Sequence, residues 1–250
     1  MVDTAVICVI VKHEEPYIEE WLDYHFKLGF DNVYIYDNGD ICTLKPLEKQ
    51  YQDKVTVIHF PGRCQQIRCY YAFALNYCYE HTWVAFIDVD EFIVLRKHNT
   101  IKELLHERCQ TGALVLNWIL FGSNGHDTYT PHPVLERFTK RQKGVHELTK
   151  WIVRINHLDI MVTPHFGKLL YGKAYDTNGV EATESIHAQG TEDVAAVYHY
   201  FTKSKEEFYQ KCERGRADIP EKRDFMTHFE AHDKNEIEDT SALDFFRKNV

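Results

Sequence analysis

The stretch His81–Val94, HTWVAFIDVDEFIV, decides how the rest of the chain is read. Trp83 to Ile87 is a short apolar run with the length and make-up of a buried strand. Three carboxylates, Asp88, Asp90 and Glu91, follow at once, and an apolar run resumes at Phe92. Burying that much negative charge costs several kcal/mol per ion unless cations or hydrogen bonds meet it. Asp88 and Asp90, two apart, point to the same side of an extended segment, which suits one hard cation bound through oxygen. A solvated turn also carries acidic residues, but it is rarely clamped between VAFI and FIVL.

Upstream of this stretch, strands and helices alternate. Ala5–Val11 (AVICVIV) reads as a first buried strand. Pro16 suits the first turn of a helix, where its missing N–H costs nothing. Ile18, Trp21, Leu22, His25 and Phe26 follow helical spacing, and Gly29 suits the stop. Val33–Tyr36 is a second strand, closed by the turn signal Asp37-Asn38-Gly39-Asp40. A short helical piece near Leu44–Tyr51 precedes a third strand, Val55–Phe60, which Pro61-Gly62 closes. Gln65–Tyr79 is a helix with Ile67, Tyr70, Tyr71, Ala74, Tyr77 and Cys78 on its apolar side. The Asp-rich strand is then the fourth. This alternation predicts an α/β, Rossmann-like, doubly wound sheet. In such sheets ligands bind beyond the carboxyl ends of the strands, an edge that Lys12–Glu14, Asp37–Asn38 and Asp88–Asp90 share.

Downstream the pattern loosens. Thr100-Ile-Lys-Glu103 and Ser204-Lys-Glu-Glu207 are capping boxes that open helices, the second running through Cys212. Ala113–Leu120, Lys150–Ile155 and Val197–Phe201 read as strands. Residues 216–250 turn polar and read as a loosely packed tail or docking helix, a helical extension after a domain spanning 1–215.

The composition fits one globular enzyme-like domain: 250 residues, 44% hydrophobic and 27% charged. A net charge of −9 with no long basic run argues against a nucleic-acid partner. Seven cysteines form no CxxC pair, as expected of free thiols in a reducing compartment. The apolar run Ala5–Val11 is too short for a membrane span. The expectation is a soluble, cytoplasmic protein of undetermined oligomeric state.

An open α/β sheet with DxD at the end of its fourth strand admits two chemistries. In a nucleotide-sugar transferase the motif holds a metal that clamps a diphosphate leaving group. In a phosphatase the first Asp is a covalent nucleophile and the second an acid/base. The phosphatase pattern sits on the first strand and places a Thr where this chain has Phe92, so the transferase is favoured.

The same residues carry a family resemblance. In order over Val6 to about Gly215 come KHEEPYIEEWLDYHFKLGFDNVYIYDN, Gln66 with Tyr70–Tyr71, WVAFIDVDEFIV, NWILFGSNG, LERF, TKWIVR and HYFTKSKEEFYQKCERG. This set resembles glycosyltransferase family 92 and its GT-A-fold relatives, including soluble, virus-encoded glycosyltransferases. The resemblance implies transfer of a sugar from a nucleotide diphosphate donor, most simply a UDP-sugar, to a glycan hydroxyl, with Mn²⁺ or Mg²⁺ and with inversion. A catalytically inactive relative that only binds glycan or nucleotide is the alternative; the intact DxD speaks against it.

The resemblance also implies roles. Asp90 is the main metal ligand, and Asp88 reaches the ribose or the metal. His199 is a third ligand, with His165 as its rival. Lys203 contacts the diphosphate, as do Lys150 and Arg154, which alternate on one strand face. Asp37 and Asn38, with Glu14 and Gln66 nearby, bind the nucleoside, although Asp37-Asn38 also reads as plain turn chemistry. Glu136 is the first choice of catalytic base and Asp127 the second. Trp118, Phe121 and His126 are candidates for the acceptor wall.

Overall fold

The computed structural model describes residues 3–248. The first half alternates as expected: β1 (Ala5–Val11), α1 (Glu15–Leu28), β2 (Asn32–Asp37), α2 (Pro46–Gln50), β3 (Val55–His59), α3 (Gln66–Tyr77) and β4 (Trp83–Phe86). Then come β5 (Glu91–Leu95), α4 (Ile101–Glu107), β6 (Ala113–Leu120), α5 (Val134–Arg137), β7 (Lys140–Arg141) and β8 (Thr149–Arg154). The chain continues through β9 (Leu158–Thr163), β10 (Phe166–Leu169), β11 (Ala174–Tyr175), β12 (Glu181–Ala182) and β13 (Ala195–His199). It closes with α6 (Lys205–Arg214), α7 (Phe225–His232), β14 (Ile237–Glu238) and α8 (Ser241–Arg247).

Ten strands form one mixed sheet whose main path runs β12-β11-β6-β8-β4-β1-β2-β3, with β13 bridging β6 and β5. The four strands β4-β1-β2-β3 are parallel throughout, which makes this end a doubly wound half-sheet. β8 then runs antiparallel between β4 and β6, so its first residues lie at the carboxyl edge of β4.

The period of two along β1 builds both cores. Ala5, Ile7, Val9 and Val11 pack with Ile18, Trp21 and Leu22 of α1, while Val6, Cys8 and Ile10 pack with Cys69, Tyr70 and Phe73 of α3. Burial on both faces explains why this strand reads as a continuous apolar run. Gly29 ends α1 in the left-handed region at φ 103°, where a side chain is disfavoured. The Trp21 indole donates to Glu91 O at 2.7 Å and the Tyr24 hydroxyl to Ile93 O at 3.0 Å, so α1 fixes β5 directly beyond the DxD turn.

Several local readings need correction. The Ser204–Glu207 capping box is complete, but in the Thr100–Glu103 box the glutamate carboxylate accepts from Asn99 N–H rather than from the cap residue itself. Of the two readings of the residues beyond 215, the docked helix matches the contacts: Ala242 and Leu243 join the main core, and Phe225 and Phe229 pack against Phe208. Asp239 meets Arg141, Arg96 and the Tyr198 hydroxyl within 3.0 Å. Polar composition hid these contacts because few apolar residues do the anchoring. All seven cysteines are free thiols. Among the described residues no helix is long and apolar enough to cross a membrane.

Candidate active site

A cavity of about 540 Å³ follows the carboxyl edge of the sheet. Asn38, Gly62 and Arg63 line it at the ends of β2 and β3, and Lys12 and Glu14 after β1. Gln66 and Asp88–Asp90 line it at β4, and Trp118, Leu148 and His165 at the β6–β8 side. The end of α6, the following loop and α7 contribute Lys211, Arg214, Arg216, Arg223, His228 and His232.

The three carboxylates at the end of β4 are met by internal cations. Asp88 accepts from Gln66 Nε2 at 2.9 Å and from Lys150 Nζ at 2.7 Å. Glu91 is wholly buried; its Oε2 accepts the Asp88 N–H at 3.0 Å and lies 3.4 Å from Lys150 Nζ. Burial pushes the Glu91 carboxyl well above the usual carboxylate range despite Lys150. The one Lys150 ammonium faces both Asp88 and Glu91, more closely the former. Burial opposes the Lys150 ammonium, but Asp88 and then Glu91 raise its pKa above the ordinary value.

Asp90 is the deeper partner. Its Oδ2 accepts from Lys211 Nζ and lies 3.5 Å from His199 Nε2. Burial works to raise the Asp90 carboxyl, yet Lys211, His199 and Lys203 hold it well below the usual range. Lys211 is pushed down to about 8 by burial, with Asp90 opposing, so the pair is ionised at neutral pH. Burial lowers His199 to about 4, which leaves a neutral imidazole capable of ligation.

This donor set fits a divalent cation in one particular way. An ammonium already stands on the Asp90 oxygen that a cation would take, and His199 is beside it. Among the described residues no three His, Cys, Asp or Glu side chains converge as a complete metal cage. A cation of the Mg²⁺ type needs only one or two protein ligands when substrate phosphates supply the rest.

The other anticipated residues separate into groups. Glu14 lines the cavity and pairs with Arg214; Asn38 lines it while donating to Phe60 O and Gly62 O at 2.8 and 2.9 Å. Asp37 is buried with both oxygens engaged, by Gly39 N–H at 2.9 Å and Leu44 N–H at 3.2 Å, which is the turn chemistry. Lys203 lies in an adjoining recess with its Nζ 4.4 Å over the Tyr17 ring. Arg154 is at the opposite end of β8, donating to Cys109 O and stacked on Trp83, because the strand carries it away from Lys150 towards the amino edge of β4. Of the acceptor-wall candidates only Trp118 lines the cavity; Phe121 is core, stacked with Tyr198 and Tyr200, and His126 packs on Phe138.

The two anticipated bases are elsewhere. Glu136 pairs with Arg247 at 2.7 Å and Asp127 with Lys205 at 2.7 Å, both on exposed surface away from the cavity.

Sequence reasoning missed the basic group from α6 onward. Arg216 pairs with Asp218, whereas Arg223 has no ion-pair partner among the described residues. Burial and then Arg216 lower the Arg223 pKa, with Asp90 and Asp218 opposing. Lys211, Arg214 and Arg216 in KCERGR carried a signal in their spacing, but one face of a short helix cannot be assigned to a cavity from sequence.

Comparison with known proteins adds to this geometry. The family model for glycosyltransferase family 92 matches residues 4–233. The chain belongs to glycosyltransferase family 92. A family 92 protein of Oryza sativa subsp. japonica is 26% identical over 169 residues, covering 64% of this chain and 29% of the relative. One from Arabidopsis thaliana is 29% identical over 97 residues, covering 38% of this chain and 17% of the relative. The chain thus spans less than a third of the length of these relatives. The crystal structure of HddC from Yersinia pseudotuberculosis overlaps 69% of this chain and 90% of its own at a TM-score of 0.38 and 9% identity, too loose a match to bear on the site.

Proposed function

We propose that this family 92 domain transfers a sugar from a nucleoside diphosphate donor, a UDP-sugar in the simplest case, to a glycan hydroxyl with inversion at the anomeric carbon. The observation that carries this reading is the pairing, in one cavity, of the ionised Asp90 with a surplus of basic side chains that includes Arg223, which has no ion-pair partner among the described residues. Such a surplus suits a polyanion, and a leaving diphosphate gains charge as its bond to the sugar breaks. Cations aimed there stabilise the transition state more than the ground state.

Asp90 and His199 would hold Mn²⁺ or Mg²⁺, which when bound acts as a Lewis acid on the diphosphate. Lys211, Arg216 and Arg223 bind and orient the diphosphate. Gln66 and Lys150 hold Asp88 in one rotamer, where it faces the donor ribose or the cation. Asn38 and Glu14 border the nucleoside end. Inversion by single displacement is favoured because every carboxylate lining the cavity is already held by a cation, which leaves no free nucleophile for a covalent intermediate.

The test is release of nucleoside diphosphate from a panel of nucleotide sugars in the presence of Mn²⁺. Slow donor hydrolysis, lost with EDTA and in Asp90→Ala, is expected. Absence of binding to every nucleoside diphosphate would overturn the reading.

A further inference from the structure

Direct displacement needs a group that takes the acceptor hydroxyl's proton, and with Glu136 and Asp127 on the outer surface that group has to be found in the cavity. Its carboxylates are held by Arg214, Lys150, Lys211, Arg216 and Lys222. An ion-paired carboxylate has its oxygens engaged by the cation, whereas an imidazole that burial keeps neutral, as it does His165, has one nitrogen lone pair free. The imidazoles are left. His199 directs Nε2 at Asp90, and its Nδ1 is shut off from solvent.

His165 differs. Its Nδ1 lies 3.0 Å from Thr149 O. A carbonyl only accepts, so Nδ1 carries the proton and Nε2 presents a lone pair. The ring lies edge-on to Trp118 with centroids 4.9 Å apart. The strand order fixes which end of the cavity this is. Asn38 and Arg63 lie at the β2–β3 end, the DxD turn at β4 in the middle, and Trp118 and His165 at the β6–β8 end. A donor with its nucleoside towards β2 and its diphosphate at β4 directs its sugar towards Trp118 and His165.

We infer that His165 is the general base of the transfer, a role that rests on the glycosyltransferase reading above. The acceptor hydroxyl gives its proton to His165 Nε2 as its oxygen bonds to the anomeric carbon. The bond from that carbon to the diphosphate breaks, and its electron pair leaves on the diphosphate oxygen. The imidazolium then returns its proton to solvent. His228 and His232 also have Nδ1 on backbone carbonyls, of Asp224 and His228, but they come from α7 beside the basic group that faces the diphosphate.

The experiment compares wild type with His165→Asn, which keeps a donor for Thr149 O but lacks Nε2, and with His165→Gly, using Mn²⁺, the nucleotide sugar hydrolysed by wild type, and a panel of methyl glycosides as acceptors. A lost general base lowers kcat by about 100-fold or more. Nucleoside diphosphate affinity and the Mn²⁺ concentration for half-maximal rate stay within about threefold, since His165 contacts neither in this assignment. Imidazole added to His165→Gly restores part of the rate, and the acid limb of the wild-type pH profile disappears in His165→Asn. Retained kcat in a folded His165→Asn overturns the assignment, as does a raised Mn²⁺ requirement, which would make His165 a metal ligand. Loss of transfer in His232→Asn with His165→Asn active would move the base to α7. Wild type that neither hydrolyses nor transfers any donor would instead overturn the transferase reading itself.

Discussion

The Lys211 ammonium donates to Asp90 Oδ2, joining the end of α6 to the DxD turn across 121 residues of sequence. The contact makes Lys211 an internal counterion at the oxygen that a bound cation would use. Removing one partner of a buried pair typically costs roughly 3–5 kcal/mol, because the other charge is left uncompensated. Lys211→Met is therefore expected to lower stability by an amount of that order in urea unfolding. Mn²⁺ should recover part of the loss and should bind Lys211→Met more tightly than wild type in calorimetric titration, since its competitor is gone. Weaker Mn²⁺ binding in the variant would refute the competition.

Lys150 serves Asp88 and Glu91 together, so the effects of substituting these residues should not add. Lys150→Met alone leaves Asp88 without its cation and is expected to cost less than the roughly 3–5 kcal/mol of a fully buried pair, because Asp88 is 32% exposed and solvent screens its charge. Glu91→Gln is expected to be milder, because burial pushes the Glu91 carboxyl up and Lys150 lies 3.4 Å from it against 2.7 Å from Asp88. A double-mutant cycle between Lys150→Met and Asp88→Asn should give a coupling of about 1–3 kcal/mol, and one between Lys150→Met and Glu91→Gln a smaller value. Equal couplings would contradict this ranking of the two contacts.

Acid sensitivity should begin with buried histidines. His25 is fully enclosed, donates Nδ1–H to Trp21 O at 2.8 Å, and is pushed down to about 3 by burial, while His165 and His199 stand at about 4 for the same first cause. Because these folded values lie below the unfolded one, the unfolded chain binds more protons between them, and stability falls as pH drops from 6.5. Each such histidine contributes up to about 1.4 kcal/mol per pH unit in that window. The loss between pH 7 and 5 should shrink in His25→Gln, whatever that variant's stability at pH 7; an unchanged loss would remove His25 from this account.

Arg223 should act on the diphosphate alone. A hydrogen bond to a charged group is worth about 1.5–3 kcal/mol, so Arg223→Ala is expected to weaken nucleoside diphosphate binding by roughly 10–100-fold, with a smaller effect on a free nucleoside. The wild-type preference for diphosphate over nucleoside should narrow with added salt. Equal losses for both ligands would place Arg223 away from the phosphates.

Glu136→Ala and Asp127→Ala are expected to keep kcat within about twofold, since surface substitutions away from a site are usually near neutral. Their partners, Arg247 and Lys205, are themselves mostly solvated. A kcat loss in either variant would require that surface to rearrange around the acceptor.

The sequence by itself determined the sheet that carries the site. Continuous apolar runs in β1 and β4, alternating with helices that Pro16 opens and Gly29 closes, left one architecture open, because both faces of those strands must be buried and each periodicity is local. The DxD turn was legible for the same reason: consecutive carboxylates between buried strands stand out within fourteen residues. What meets those carboxylates was decided only by tertiary structure. Lys150 arrives from an antiparallel strand inserted between β4 and β6, and Lys211 and Arg223 from segments more than 120 residues away. Local composition also described the last thirty-five residues as polar, although Leu243 reaches the core and Arg223 reaches the cavity. Charge pairing and proton acceptance depend on distances of a few ångströms between residues far apart in the chain, and only packing sets those distances.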